Sequence, residues 1–276
     1  MGNVQLTGKA NISPFRKVAL GTWQTAYDPS IYGTLRLRVD SVMEYIEKFR
    51  AKFGRKLTIT HVVAKAIGIA LKECPDANAI LRFNKIHLRK NVDISILVLM
   101  EHEGKKDLSS AKIDNIDSQP LVDIVTTLDE KAEKIRARKD KELEKTRQSM
   151  RLIPALLMFR FLKMLSVLLY ALNLNLKWLG LPKDPFGGAI VTSIGSLGLQ
   201  TGYVPLVPYT RVPIFVAPGA VTRMPVVEGD EIVIGQVLDI NVTFDHRLID
   251  GSHAADLSQT LRRVLSNPFE ELDPLD

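Results

Sequence analysis

Between Leu152 and Leu179 the chain is so apolar that the segment must leave water, and how it does so limits every fold open to the rest. Arg160, Lys163 and Lys177 interrupt it, leaving 13 uncharged residues from Met164 to Leu176. A bilayer span needs about 20, so the segment is predicted not to cross a membrane. Its polar positions Arg160, Lys163, Ser166, Tyr170, Asn173 and Lys177 recur at intervals of three and four. On one continuous helix that spacing makes a narrow polar stripe opposite a broad apolar face. Two destinations satisfy such a face: a core or subunit interface, or the headgroup layer of an anionic membrane, which would attract the cationic stripe and the basic run upstream.

The surrounding sequence is that of a folded protein. With 46% apolar and 25% charged residues, 17 Gly and 14 Pro, it is neither collagenous nor disordered, and 276 residues suffice for one large α/β domain. We expect residues 1–276 to form that single domain, with residues 141–183 as a helical insertion. Cys74 is the sole cysteine and cannot form an intramolecular disulfide, and MGNVQLTGKA lacks a secretory pattern. The expected location is cytoplasmic, or peripheral at the membrane through residues 150–180. From Lys131 to Arg151 there are nine Lys or Arg against four Asp or Glu, a surplus of five within a net charge of +6. The basic balance is therefore a local patch, and no nucleic-acid partner is expected.

Leu35, Leu37 and Val39 alternate with Thr34, Arg36, Arg38 and Asp40, which predicts a half-buried strand. A helix follows, with Ser41 as its N-cap and Gly54 as its C-cap, then a second, apolar nearly all round, from a Thr60 cap to just before Pro75. Strands are predicted near Lys85–Leu88 and Asp93–Met100, and a charged helix over residues 119–146. The last third reads as strands in GAIVTSIGSLG, VPIFVAPGAV and DEIVIGQVLDINVTFDH, closed by an amphipathic helix over Ser252–Leu265.

The string most informative about chemistry is Phe244-Asp245-His246-Arg247-Leu248-Ile249-Asp250-Gly251, at the end of a strand alternating Leu238, Ile240, Val242 and Phe244. A neutral imidazole takes a proton from a thiol or hydroxyl near neutral pH, and a nearby carboxylate fixes the local geometry that aims it. FDHRLIDGSHAADL closely resembles the active-site signature of the catalytic domain of dihydrolipoamide acyltransferases, the core subunits of 2-oxo acid dehydrogenase complexes. It is more distantly similar to the HxxxDG motif of chloramphenicol acetyltransferase. Other segments agree in order: Ser13-Pro14-Phe15-Arg16-Lys17 resembles that domain's opening segment, and Pro75-Asp76-Ala77-Asn78 its helix ending in a proline and an asparagine. Asn91-Val92-Asp93-Ile94-Ser95 is similar to its VDIS strand, and Thr192-Ser193-Ile194-Gly195-Ser196-Leu197-Gly198 to its ISxxG turn.

The resemblance implies a two-layer α/β sandwich, a mixed sheet backed by helices, like chloramphenicol acetyltransferase but with the apolar helical insertion. It implies an acyl-CoA-dependent acyltransferase moving an acyl group between coenzyme A and a thiol such as dihydrolipoamide, or another acceptor. His246 is then the general base, Asp250 holds its loop by pairing with an arginine, and Thr192, or Ser193 one residue on, donates to the tetrahedral oxyanion. The family trimer draws histidine and hydroxyl from different subunits, so a homotrimer or a multiple of three is implied. No lipoyl or peripheral-subunit-binding domain precedes Ser13, so we expect no lipoyl group on this chain and a lipoyl-bearing protein in trans. Glu103 to Ser110 stands where the family has a glycine-rich run beside its channel, which questions the dihydrolipoamide side. Two alternatives follow: a membrane-associated acyltransferase with a long-chain or lipid substrate, or a structural trimeric core with little turnover.

Other residues read more plainly. His61, His87 and His102 have no Cys or acidic partner at ligand spacing, so no metal site is expected. Cys74 reads as a packed thiol, Gly195, Gly198 and Gly202 do not make a phosphate loop, and Trp23 and Tyr27 read as packing groups.

Overall fold

The computed structural model describes residues 2–9, 28–102, 105–137 and 153–275. The opening segment Ser13–Lys17, Trp23, Tyr27, Glu103, Gly104 and the first part of the insertion, 141–152, lie outside the described residues. A seven-stranded mixed sheet organises the chain. Its strands are β2 (Ser30–Arg38), β5 (Ile94–His102), β6 (Lys105–Ile113), β7 (Ala189–Val191), β8 (Ile214–Pro218), β9 (Thr222–Glu228) and β10 (Glu231–Asp245). The order is β2-β10-β8-β7-β5-β6, with β9 paired to the first half of β10. Pairings β5–β7 and β7–β8 are parallel and the others antiparallel. A smaller antiparallel sheet joins β1 (Leu6–Gly8), β4 (Lys85–Arg89) and β3 (Ala79–Arg82).

Helices α1 (Asp40–Phe53), α2 (Ile59–Glu73), α3 (Leu121–Arg136) and α5 (Gly251–Ser266) cover one face of the large sheet, and a short α6 (Pro268–Glu271) follows. Leu238, Ile240, Val242 and Phe244 of β10 point into that layer, where they meet Leu35, Leu37, Val191 and Val216. The intervening Asp239, Asn241, Thr243 and Asp245 are buried too. On that second face Asp239 accepts two bonds from Arg36, at 2.7 and 2.8 Å, and Asn241 accepts from the Thr34 hydroxyl at 2.9 Å. Hydrogen bonding at Asp239, Asn241 and Asp245 offsets much of the cost of burying both faces of β10, while the buried Thr243 hydroxyl is left unpaired among the described residues.

Local signals decide where the helices begin. α1 starts at Asp40, with Val39 rather than Ser41 as its cap, and ends at Gly54, whose φ of +62° suits glycine. α2 starts at Ile59 rather than after Thr60, because the Thr58 N–H donates to Nδ1 of His61 at 3.0 Å and closes a capping box. Glu103 to Ser110, which stands where the family has its glycine-rich run, is strand from Lys105 on: β6 pairs with β5 from His102–Lys105 to Ile94–Ile113.

The insertion departs from its single-helix reading. α4 (Ala155–Ser166) runs into a π turn over Val167–Ala171, and a 3-10 turn follows at Lys177–Leu179. Asn173, at a φ of +56°, turns the chain between them, and its side chain bonds Val4. The polar stripe is broken as a result. Ser166 and Tyr170 face inward, against Val4, Ile80, Leu165 and Leu169, and Ser166 accepts from Nε of Arg211 at 2.9 Å. Periodicity alone placed them outside; the donors and apolar partners that bring them in come from distant parts of the chain. Among the described residues no helix is long and apolar enough to cross a membrane.

Candidate active site

β10 delivers His246 to the sheet's end and its neighbours lock it there. The Asp245 N–H donates to the Pro213 carbonyl at 2.9 Å and the His246 N–H to the Pro29 carbonyl at 3.0 Å, tying the strand end to both flanking segments. The N–H groups of Leu248 and Ile249 then return to the Asp245 carbonyl, at 3.0 and 2.9 Å, closing a tight turn. The Asp245 carboxylate takes Nε and Nη2 of Arg247 at 2.9 and 2.6 Å, and the Arg247 N–H at 3.0 Å. Burial disfavours the Arg247 charge, but Asp245 more than offsets it, raising the arginine's pKa. His246 is thus bracketed by a bidentate ion pair.

The turn aims the Ile249 carbonyl back at the ring, with Nδ1 of His246 2.9 Å from that oxygen. A carbonyl only accepts, so Nδ1 carries the proton and the lone pair sits on Nε2, the tautomer a base requires.

Asp250 caps α5. Its Oδ1 accepts from the N–H groups of Ser252 and His253 at 3.0 and 3.2 Å, from the Ser252 hydroxyl at 2.6 Å, and from Nδ1 of His253 at 2.7 Å. Burial would raise the acid's pKa, but these bonds hold it well below the usual carboxylate range. Asp250 therefore joins the His246 turn to the helix start through a charged cap.

Thr192 follows β7, its N–H donating to the Val216 carbonyl at 2.9 Å. The Thr192 hydroxyl has no hydrogen-bond partner among the described residues, whereas Oγ of Ser193 accepts the Ser196 N–H at 3.3 Å in a local turn. The structure does not bring Thr192 to His246. Continuing the β7–β8–β10 register places it level with Asn241, two strands across and five residues from His246. At about 4.8 Å per strand and 3.3 Å per residue, the two backbones are on the order of 20 Å apart.

Sequence reasoning missed Asp245, Arg247 and His253 as supports. The first two were legible as opposite charges flanking the histidine, and the third as the final position of an Asp-x-x-His cap. His61 is buried in its capping box, Nδ1 of His87 meets the Lys85 carbonyl at 3.1 Å, and burial pushes the Cys74 thiol up. Among the described residues no group of three His, Cys, Asp or Glu is placed to hold a metal.

The chain matches, over residues 7–151 and 182–272, the family described as 2-oxoacid dehydrogenases acyltransferase (catalytic domain); the unmatched gap is the apolar insertion. It is 23% identical over 244 residues to the dihydrolipoyllysine-residue acetyltransferase component of the Rickettsia prowazekii pyruvate dehydrogenase complex, covering 87% of this chain and 49% of the relative. The corresponding component of the Bacillus subtilis acetoin cleaving system is 23% identical over 267 residues, covering 93% and 55%. The chain spans about half the length of these curated relatives. A probable dihydrolipoamide acetyltransferase from Listeria monocytogenes superposes with a TM-score of 0.66 at 20% identity, covering 98% of this chain and 99% of that one. The Azotobacter vinelandii dihydrolipoamide acetyltransferase, in whose catalytic mechanism a serine, a histidine and an asparagine four residues after it were investigated, gives 0.65 at 19%, covering 96% and 94%. A chloramphenicol acetyltransferase gives 0.52 at 11%, covering 95% and 100%. At these identities the superpositions establish the shared fold.

Proposed function

Because the chain belongs to the family of 2-oxoacid dehydrogenase acyltransferase catalytic domains, we propose that it moves an acyl group between coenzyme A and a thiol of the dihydrolipoamide kind. The observation that carries the reading is the Nδ1 bond of His246 to Ile249, which leaves Nε2 as base. Nε2 takes the acceptor thiol's proton as the sulfur attacks the acyl-CoA carbonyl. A tetrahedral oxyanion forms and accepts the Thr192 hydroxyl. Its collapse breaks the bond to the coenzyme A sulfur, which leaves with the proton from Nε2.

Thr192, His246 and Asp250, the last four residues after His246, are the positions we set beside the serine, histidine and asparagine investigated in the Azotobacter enzyme. The occupied Ser193 hydroxyl favours Thr192 as donor. Asp250 is a positioning residue, because its bonds run to the loop and helix. The span between Thr192 and His246 is too long for one substrate carbonyl, which favours a homotrimer, or a multiple of three, with each site shared by two subunits. The lipoyl group would be presented in trans, on the cytoplasmic side. A long-chain or lipid-borne acyl group is the variant favoured by the exposed apolar side chains of the insertion.

The test is acyl exchange between a panel of acyl-CoAs and free dihydrolipoamide, with His246→Ala as control. Exchange lost in the variant supports the reading; equal exchange by both proteins refutes it.

A further inference from the structure

The insertion's outward side is apolar and is covered by nothing among the described residues. Leu157, Phe159 and Met164 on α4, Val167 at the start of the π turn, and Leu172 and Trp178 beyond it, are exposed, Phe159 and Trp178 by 75% and 78%. Their helical spacing puts the three α4 residues on one side, where Arg160 and Lys163 are exposed among them, and Lys177 is exposed beside Trp178. The opposite side of α4 is committed to the Val4, Ile80, Leu165 and Tyr170 cluster. The helix therefore cannot roll over to hide the exposed side chains without undoing that packing. A large patch of this kind marks an interaction surface.

Charge identifies the occupant. From Lys145 to Lys183 the sequence has seven Lys or Arg and no Asp or Glu. A second copy meeting this face with the same face would set cation against cation, with no acid in the segment to pair them. A nucleic acid would take the charges but leave the aliphatic side chains wet. An anionic bilayer takes both: apolar side chains enter the upper acyl layer, aromatic rings sit at headgroup level, and Lys and Arg reach the phosphates. We propose that the outward face of residues 157–178 docks the protein on anionic membrane surfaces, with Phe159 and Trp178 as its anchors. The inference is independent of the acyl-transfer reading.

The full-length chain would be floated with phosphatidylcholine vesicles, with and without phosphatidylglycerol. It should bind the mixed vesicles, weakly the neutral ones, and less in high salt. Arg160→Gln, Lys163→Gln and Lys177→Gln together should weaken partitioning about 100-fold, at roughly five-fold per cation near the surface. Phe159→Glu with Trp178→Glu should abolish binding while native mass stays unchanged, since both side chains are exposed. In a Trp23→Phe background, Trp178 emission should shift to the blue on adding mixed vesicles. No retention by mixed vesicles, or a Trp178 spectrum that they leave unchanged, overturns the proposal. So does a fall in native mass in the double Glu variant, which would make the face a subunit interface.

Discussion

His246 donates from Nδ1 to the carbonyl oxygen of Ile249, three residues ahead in its own turn, at 2.9 Å. The partner is backbone, so the tautomer is set by how the chain turns rather than by a second titrating group. His246→Ala should lower acyl transfer by about 10² to 10⁴, the usual worth of a positioned base. Thermal unfolding and native mass should match the parent, since the turn is closed by the Asp245 carbonyl and the Arg247 ion pair. Stopped-flow or steady-state thiol release reads the first and calorimetry the second.

Thr192 and His246 sit at opposite ends of the sheet, and that arrangement makes a separate prediction. Thr192→Ala should cost about 10² to 10³ in turnover, as for a lost oxyanion donor, Thr192→Ser should retain most of it, and Ser193→Ala should cost less than Thr192→Ala. Each single variant, Thr192→Ala or His246→Ala, is then nearly inactive alone. Unfolded together and refolded as mixed trimers, the two should regain about a quarter of parental activity, because one site in four draws both intact residues from adjacent subunits. Mixtures as inactive as their components would show that sites are not shared.

Asp250→Ala removes the cap of α5 and the bond that places His253. Loss of a cap costs about 0.5 to 2 kcal/mol, and the charged, four-donor geometry puts this one toward the upper end. Denaturant unfolding of the Ala and Asn variants should order them parent, Asn, Ala, because Asn keeps an acceptor oxygen for the helix N–H groups. Turnover should fall further than stability, through the loop that Asp250 anchors.

Much of this site was legible in the sequence. The strand Leu238 to Phe244 announced itself by alternation, and Gly251 with the small residues after it marked the helix start. What stayed hidden depended on partners distant in sequence. Ser166 and Tyr170 looked like a solvent stripe because periodicity cannot show that Arg211, 45 residues on, meets Ser166, or that a π turn breaks the helix. β6 is absent from the strands predicted by alternation because Lys105 to Lys112 is mostly polar, as suits a strand at the sheet edge, where charge blocks pairing with other chains.

His61 makes the last prediction. It is buried, its Nδ1 accepts the Thr58 N–H, and its pKa is lowered from 6.5 to about 4, chiefly by burial, with Arg50 adding to the effect and Asp129 opposing it. Between those values the unfolded chain holds a proton that the folded chain lacks. Stability is therefore complete above pH 6.5 and falls as pH drops toward 4, by about 3 kcal/mol in all at 1.36 kcal/mol per unit. Asp250 also weakens the fold in acid, but its contribution is lost only as pH falls below the ordinary Asp value of 3.8, so the two windows separate. His61→Gln keeps an acceptor for the Thr58 N–H, the usual capping-box pairing, and cannot titrate. Urea unfolding from pH 7 to pH 4 should show the decline in the parent and a much flatter line in the variant. Parallel slopes would mean that His61 is not the group that protonates on unfolding.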